Sequence, residues 1–377
     1  MIRFLHTADW QLGMTRHFFG EGAQERYSQA RFDAIRTMGR IACQEQCRFV
    51  LVCGDAFESN QVDRKTVARA LEALREIGKP VFILPGNHDP LHAASVYRSG
   101  VFQERKPPNV TVIEDCRAIP VDGDVTLVGA PWLSKRPVGN PVEEALALLD
   151  NVEDGRVRIC LAHGPVDTFA AGSEPAGLVS VALLEQAIAG GKIHYAALGD
   201  RHSLTPVGGS GRIWYSGTPE PTDFREVQSG FVQLVELEEN QIQTRSLRVG
   251  QWLFLERERV DLNTAADVEA LRQWLDGIDS KERAVIRLNL VGSLTLSLRD
   301  ALQQCLAAAG DVLGALDARS EELLVLPEDA DFAGLGFTGF ADAVVQRLRA
   351  RTAENGKEAA TAREALLLLL RLARGAL

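Results

Sequence analysis

The feature that most constrains this chain is a short apolar run that stops at a turn and is followed by residue types that bind metals. Residues 81–84 read Val-Phe-Ile-Leu, Pro85-Gly86 ends the run, and Asn87, His88 and Asp89 follow. A short apolar run bounded by turn formers is typical of a buried strand. Because open α/β sheets bind ligands at the carboxyl ends of their strands, the polar residues predict a site at that edge.

The same succession of apolar run and polar end occurs four more times. Runs at 2–5, 49–53, 157–162 and 195–198 lead to Asp9 and Gln11, to Asp55, to His163, and to Asp200 and His202, respectively. Helical periodicity at 24–47 and 65–77 separates the first three runs along the chain, which predicts parallel strands joined by helices. Close turns after residue 111 predict that the sheet becomes mixed or gains a second layer. The predicted fold class is therefore α/β.

Composition and charge limit the classes of protein that fit. The chain has 377 residues, of which 46% are hydrophobic and 24% charged, as in globular proteins. Its net charge of 41 − 51 = −10 argues against a protein that coats nucleic acid with its whole surface, although bound divalent metals would reverse the local field. Six cysteines without a C-x-x-C pair indicate buried thiols in a reducing cytoplasm. The first strand begins at residue 2 and the longest apolar run is 365–370, so we expect neither a signal peptide nor a membrane span.

The metal-binding residue types stop near residue 250, and this change predicts a domain boundary. We assign residues 1–250 to the domain that carries the site. A helix at 267–278 capped by Thr264, a strand at 284–291, a helix at 298–309 and a strand near 323–326 predict a smaller α+β domain at 251–335. Residues 336–377 are predicted to form C-terminal helices, whose five leucines at 366–370 suit either a partner or the protein's own core.

Collected at one edge, the polar residues suit hard or borderline divalent metals. Carboxylate, amide and imidazole groups without thiolates favour Mn²⁺, Fe²⁺ or Zn²⁺. A carboxylate shared between two ions gives a dinuclear centre, which clamps a phosphoryl group and activates a water molecule. His88 directly follows Asn87 and is suited to stabilise charge on the phosphate or to protonate the leaving group.

These motifs resemble those of the calcineurin-like metallophosphoesterases in their order and strand context. The matching segments are Asp9-Trp10-Gln11, Gly54-Asp55, Gly86-Asn87-His88-Asp89, His163-Gly164 and Gly199-Asp200-Arg201-His202. Residues 7–13 and the loop 216–221 narrow the resemblance to the SbcD-type DNA-repair exonuclease subunits, most closely to their YhaO-like branch. The resemblance covers residues 1–250 and implies two mixed β-sheets flanked by helices, followed by a smaller capping domain.

The resemblance also implies roles for the matching residues. One metal would be held by Asp9, Gln11, Asp55 and His202, the other by Asp55, Asn87, His163 and Asp200, and His88 matches the catalytic histidine on the phosphate side. Gln11 stands where the family usually has a histidine, so its amide is either a weaker ligand or a hydrogen bonder that never touches metal. Asp200 also replaces a histidine, which adds negative charge and favours Mn²⁺, with Fe²⁺, Zn²⁺ and Mg²⁺ as alternatives. Glu58 and Asp89 lie beyond the matching positions and are expected behind the ligands.

The implied function is that of a metal-dependent DNA exonuclease, the nuclease subunit of a repair complex. The implied partners are DNA and an SMC-like coiled-coil ATPase to which the C-terminal helices attach; a homodimer is also open, and no membrane is involved. Two alternatives are a phosphodiesterase acting on a small nucleotide or cyclic nucleotide, and a non-catalytic scaffold that kept the fold. Arg16, Lys135, Arg136 and Arg201 are candidates for contact with DNA phosphates. Trp10 and Tyr97 are candidates for base stacking, with core packing the default for Trp10.

Overall fold

Two six-stranded sheets form the frame of the first part of the chain. In this computed structural model, the described residues are 1–137, 139–150, 152, 154–170, 177–238, 241–326, 338–352 and 357–373. The chain divides into two compact units, Met1–Phe254 and Leu255–Leu377. The strands of the first unit are β1 (Ile2–Thr7), β2 (Phe49–Cys53), β3 (Val81–Leu84), β4 (Val110–Val112), β5 (Ile119–Asp122), β6 (Val125–Gly129), β7 (Val157–His163), β8 (Tyr195–Gly199), β9 (Thr205–Val207), β10 (Ile213–Tyr215), β11 (Phe231–Glu238) and β12 (Gln241–Arg248). Its helices are α1 (Glu21–Gln44), α2 (Arg64–Glu76), α3 (Gly100–Arg105), α4 (Pro141–Ala147) and α5 (Val181–Ala189).

Both sheets contain parallel and antiparallel pairs. The first sheet has the strand order β12-β11-β1-β2-β3-β4. Neighbours from β1 to β4 pair in parallel, whereas β11 pairs antiparallel with both β1 and β12. The second has the order β5-β6-β7-β8-β10-β9, with parallel pairing from β6 to β10 and an antiparallel strand at each edge. The predicted α/β class, with two mixed sheets flanked by helices, is confirmed.

Alternate residues of the central strands face two different cores. Phe49 and Leu51 of β2 pack with Ile159 and Leu161 of β7 in a core between the two sheets. The intervening residues of β2 face helices α1 and α2, and those of β7 face α4 and α5. Strands covered on both faces are apolar throughout, which is why they appear as unbroken apolar runs in the sequence. The first unit is therefore a four-layer arrangement of helices, sheet, sheet and helices.

Helix α1 lies three residues earlier than the sequence pattern predicts. The periodicity indicates residues 24–47, whereas the helix ends at Gln44. Gln46 adopts a left-handed φ of 55°, which breaks the helical path and turns the chain toward β2. Cys47 belongs to the core formed with the helices and not to the helix itself.

The second unit contains a three-stranded sheet and four helices among its described residues. Its strands are β13 (Leu253–Leu262), β14 (Ala284–Thr295) and β15 (Ala315–Leu326), in that order in the sheet, and its helices are α6 (Ala265–Asp276), α7 (Leu296–Gly310), α8 (Phe340–Thr352) and α9 (Lys357–Ala373). Thr264 caps α6 as predicted. Strand β14 ends later than predicted, at Thr295, and β15 begins earlier, at Ala315, because the two strands pair in parallel from Val285 and Ala315 to Thr295 and Leu326. The predicted boundary between 335 and 336 lies outside the described residues, so the division into three domains stays a prediction.

Within the described part of the chain, we find no helix that combines the length and the apolar character needed to cross a bilayer.

A buried carboxylate joins the loop after β10 to the segment between β12 and β13. Glu220 is fully buried, and its Oε1 accepts a hydrogen bond from the Gln251 N–H at 2.7 Å while Oε2 accepts one from the Trp252 N–H at 3.1 Å. Burial raises the pKa of Glu220 from 4.5 to about 7, although these two donors favour the charged form. The folded protein therefore holds a proton on Glu220 over a pH range in which the unfolded chain has released it.

We predict that E220Q removes a measurable part of the pH dependence of stability. Since the folded pKa lies above the unfolded one, the stability from the protonated form is complete below pH 4.5 and is lost as the pH rises through 7. Each unit of pKa difference corresponds to about 1.4 kcal/mol, so the free energy of unfolding of wild type should fall by about 3 kcal/mol over this interval relative to that of E220Q. Urea unfolding at pH 5 and pH 8 measures the difference, with the exposed Glu104 substituted as E104Q for control. An equal difference between wild type and E220Q at both pH values would contradict the prediction.

Candidate metal centre

The carboxyl ends of strands from both sheets meet at one place. The His163 Nδ1–H at the end of β7 donates to the Cys53 carbonyl at the end of β2 at 2.9 Å. The Asp200 N–H after β8 donates to the Asp9 carboxylate after β1, at 3.1 Å from Oδ1. The first contact joins residues that are 110 positions apart in the chain, and the second joins residues that are 191 positions apart. Together they bring the predicted site residues of the two sheets to one place.

Asp55 lies at the centre of the cluster, and its two oxygens face two different groups of side chains. Oδ1 is 3.4 Å from His163 Nε2 and accepts a hydrogen bond from the His88 N–H at 2.9 Å. Oδ2 accepts a hydrogen bond from Gln11 Nε2 at 3.1 Å. The Asp55 side chain is buried, so these contacts are made away from solvent.

The first group of side chains surrounds His163 Nε2. This nitrogen lies 2.7 Å from Asn87 Oδ1 and 3.8 Å from Asp200 Oδ1, in addition to its contact with Asp55. Because Nδ1–H donates to a backbone carbonyl, the neutral imidazole presents a lone pair at Nε2 toward these oxygens. A lone pair and three oxygens that face one another are the arrangement that a bound cation satisfies.

The second group contains Asp9, Gln11 and His202. Ligand atoms of Asp9 and Asp55 lie within 4.8 Å of each other and of His163 in the first group, and Gln11 donates to Asp55 Oδ2. Despite the burial of its ring, His202 is close enough to Glu226, Asp9 and Asp55 for them to raise its pKa, but it is not part of that 4.8 Å cluster. His202 Nδ1 contacts Glu226 Oε1 at 2.9 Å and Thr222 Oγ1 at 2.7 Å, which orients the ring and leaves Nε2 available.

Gln11 carries an unsatisfied atom in this group. Its side chain is 1% exposed, and Oε1 has no hydrogen-bond partner among the described residues. A buried amide oxygen without a partner costs about 1–3 kcal/mol, which a cation ligand would recover. The donor set of carboxylates, imidazoles and amides, together with this oxygen, fits hard divalent ions.

His88 is held beside the cluster at the wall of an open pocket. Its Nδ1–H donates to the Glu58 carbonyl at 2.9 Å, so Nε2 is the ring nitrogen available to a ligand. The pocket has a volume of about 410 Å³ and is lined by His88, Asn87, Asp200, Glu58, Trp132, Lys135 and Pro165.

Left-handed backbone at the strand ends turns the side chains into the cluster. Asp9, Gln11, Asp55 and Asp200 have φ values of 54°, 49°, 53° and 103°, respectively. Such conformations in residues other than glycine cost about 1–3 kcal/mol each and are found at functional sites. Gly86 leaves room for the Asp55 carboxylate, since a Cβ at residue 86 would lie 2.2 Å from Asp55 Oδ1.

The ionisable groups of the cluster perturb one another strongly. Burial raises the pKa of Asp9 to about 7, against the opposing effect of His202 and His163. Burial would also raise the pKa of Asp55, but the His163 and His88 rings outweigh it and lower the value. Burial disfavours the imidazolium of His163, yet Asp55, Asp9 and Asp200 raise its pKa well above the ordinary range. Cations that bind here compete with protons for these ligands.

Asp89 fixes the loop that carries Asn87 and His88. The Asp89 carboxylate accepts hydrogen bonds from the Gly86 N–H at 2.7 Å, the Phe57 N–H at 3.0 Å and the Tyr97 hydroxyl at 2.6 Å. Burial raises the pKa of Asp89 to about 6. Asp89 therefore supports the cluster from behind, as expected from its position.

The candidate for base stacking at Tyr97 is wrong, whereas the default expectation for Trp10, core packing, is confirmed. Trp10 and Tyr97 are each 1% exposed and donate to Thr7 Oγ1 and Asp89 Oδ2, respectively, so neither ring can meet a ligand. Three contributors were missed: Glu226 and Thr222 behind His202, and Trp132, whose Nε1–H donates to the His163 carbonyl at 2.7 Å. No motif spacing links these residues to their partners, which lie 20–31 positions away.

Two packed sheets that carry carboxylates, amides and imidazoles at the ends of their strands have the architecture of a metallophosphoesterase. The calcineurin-like phosphoesterase family matches residues 2–203, more than half of the chain, so the chain belongs to this family. The family predicted from the motifs is confirmed.

Individual relatives match shorter stretches. The SbcD subunit of the nuclease SbcCD from Bacillus subtilis (strain 168) is 31% identical over 138 residues, which cover 34% of this chain and 33% of that protein. Uncharacterized metallophosphoesterase YhaO of the same organism is 32% identical over 98 residues, 24% of each chain. The matched stretches therefore cover about a third or less of the length of each of these relatives. Among solved structures, a dimetal phosphatase from Danio rerio has a TM-score of 0.43 and 14% identity, covering 66% of this chain and 96% of that one.

We predict that G86A weakens divalent-ion binding by about ten-fold or more, because the new methyl group would displace Asp55. Titration calorimetry with Mn²⁺ measures the affinity, and circular dichroism checks that the variant is folded. G123A is the matched control, since a Cβ there meets no described atom within 4 Å. A folded G86A with wild-type Mn²⁺ affinity would place the ion-binding site away from Asp55.

Proposed function

We propose that this protein is a metal-dependent DNA exonuclease that hydrolyses phosphodiester bonds at a dinuclear centre. The observation that carries the proposal is the position of Asp55, whose two oxygens face two different groups of ligand-type side chains. A carboxylate shared in this way is the element that two-metal phosphoesterases require. The substrate class rests on the SbcD relative, which is named as part of a nuclease.

The proposed ligands divide between the two groups. Asp9, Gln11, Asp55 and His202 would hold one ion, and Asp55, Asn87, His163 and Asp200 the other. The ions would supply positive charge for the phosphoryl oxygens and a nucleophile made from water at neutral pH. Mn²⁺ is the proposed metal because Asp200 adds a carboxylate, which is a harder ligand than imidazole.

His88 is proposed to act on the substrate itself. Its ring is oriented by the Glu58 carbonyl through Nδ1, and Nε2 is the nitrogen that would meet the phosphate or the leaving oxygen. Donation of a hydrogen bond there stabilises charge that develops on the departing group. Lys135 lines the same pocket and would balance the negative charge of the phosphodiester.

We further propose a cytoplasmic protein that works with an SMC-like coiled-coil ATPase. The SbcD relative is by its name one subunit of a larger nuclease. Helix α9 carries Leu368 and Leu372, which are 53% and 52% exposed and offer an apolar surface for such a partner or for a second copy of this chain. All six cysteines are free thiols, which suits a reducing compartment.

We predict that two substitutions separate metal binding from chemistry. D55N should lose Mn²⁺ binding and DNA cleavage together, because it removes the shared charge. H88Q should keep Mn²⁺ binding and lower kcat by about 10²–10⁴-fold, because it removes the proton donor. The exposed His17, substituted as H17A, is the control and should behave like wild type. End-labelled single- and double-stranded DNA with Mn²⁺ or Mg²⁺, beside cyclic nucleotides, provides the measurement.

Other outcomes select other functions. Hydrolysis of cyclic nucleotides without any cleavage of DNA would show a small-molecule phosphodiesterase. A scaffold would be shown if no metal supported turnover of any phosphoester and if H88Q had the same measured properties as wild type.

A further inference from the structure

One large aromatic ring faces solvent beside the pocket. Phe169 is 48% exposed, whereas Trp132, which lines the pocket, is 5% exposed. The guanidinium carbon of Arg201 lies over the Phe169 ring, 4.9 Å from its centre. The guanidinium group makes a cation–π contact with one face of this half-exposed ring.

The two residues of this pair are close in the chain to residues of the candidate metal centre and its pocket. Arg201 is the chain neighbour of both Asp200 and His202, and Asp200 lines the pocket. Phe169 follows Pro165, another pocket residue, by four positions, and its N–H donates to the Val166 carbonyl at 3.0 Å. Phe169 therefore belongs to the loop that starts at the pocket residue Pro165, and its ring contacts the side chain that directly follows the pocket residue Asp200.

The backbone that presents Phe169 is held in place. The Asp167 N–H donates to the Val179 carbonyl at 3.0 Å, and Asp167 Oδ1 accepts a hydrogen bond from the Val181 N–H at 3.2 Å. On the other side of the pair, Arg201 Nε–H donates to Thr205 Oγ1 at 2.9 Å. A ring and a cation fixed on both sides present a preorganised flat surface.

Two cations lie close to the acidic residues of the pocket. Lys135 lines the pocket together with Glu58 and Asp200, Arg136 follows Lys135 in the sequence, and Arg201 directly follows Asp200. Basic side chains interleaved with an exposed aromatic ring are the combination by which proteins hold single-stranded nucleic acid. A single ring is too small for a stable protein interface, which buries about 800 Å² per partner.

We propose that Phe169 and Arg201 form a stacking platform for one unpaired nucleobase of the strand whose phosphodiester enters the pocket. The proposal rests on the proposed nuclease function and extends it to the form of the substrate. The base would stack on the face of Phe169, with the guanidinium group of Arg201 adding cation–π attraction, while the adjacent phosphate reaches Lys135. Stacking needs an unpaired base, so the preferred substrate is a single-stranded end.

The test compares oligonucleotides that differ only in one base. Cleavage-resistant phosphorothioate DNA strands of about ten nucleotides carry either a 2-aminopurine or an abasic residue at one terminus, with a separate pair for each end. Wild type should bind the base-bearing strand of one pair about 5- to 100-fold more tightly than the abasic strand, the range expected for one base stacked on an aromatic side chain. Stacking should also quench the 2-aminopurine fluorescence.

F169A should bind the abasic strand like wild type and lose both the discrimination and the quenching. F169Y keeps the ring and should retain both. F340A is the matched control, since Phe340 is 86% exposed and belongs to the second unit, and it should behave like wild type.

The outcomes that overturn the platform differ from those that overturn the function. Equal discrimination in wild type and F169A, or equal weakening of both strands by F169A, would show that no base stacks on this ring. Hydrolysis of bis(p-nitrophenyl) phosphate, a phosphodiester without a nucleobase, is measured in parallel on wild type with Mn²⁺. If wild type hydrolyses neither this ester nor DNA, the nuclease function fails, and the platform proposal fails with it.

Discussion

The shared carboxylate of Asp55 is the constraint on which the rest of the structure depends. It is buried, and its two oxygens face different partners, Gln11 on one side and His163 on the other. A buried charge in this position is tolerated only where other charged or polar groups surround it. The ends of strands from two sheets must therefore meet at this residue, and the packing of the sheets face to face brings them there.

The surroundings of Asp55 show what this arrangement costs. Four acidic or amide residues hold left-handed backbone, and burial together with the charge of Asp55 raises the pKa of both Asp9 and Asp200. The layers of apolar side chains on both sides of each sheet fix the strands so that this strain persists. Behind the ligands, Asp89 and Glu226 anchor the loop and the His202 ring, which keeps the ligand atoms in place.

The strand ends could be predicted from the sequence because each is a local signal. An apolar run, a glycine or proline and an acidic, amide or imidazole residue within ten positions identify Asp55, Asn87 and His163 as candidates without any knowledge of the fold. The same local reasoning missed Glu226, Trp132 and Phe169, because their importance comes from contacts with residues 24–32 positions away in the chain.

Local signals also misplace boundaries and orientations. Residues 315–322 are mostly polar, yet they belong to a strand because parallel pairing with β14 extends it. The sequence makes Tyr97 a candidate for base stacking, but its ring lies in the core and its hydroxyl donates a hydrogen bond to Asp89 Oδ2. Which face of the chain a side chain occupies is decided by sheet packing, and that is not a local property.

The most direct test of a dinuclear centre at Asp55 is the anomalous diffraction of crystals soaked in manganese. A shared carboxylate predicts two peaks about 3.5–4 Å apart, one beside Asp9 and His202 and one beside Asn87 and His163, with the Asp55 carboxylate between them. A single peak that does not touch Asp55, or no peak at this cluster while manganese binds elsewhere, would contradict a dinuclear centre there.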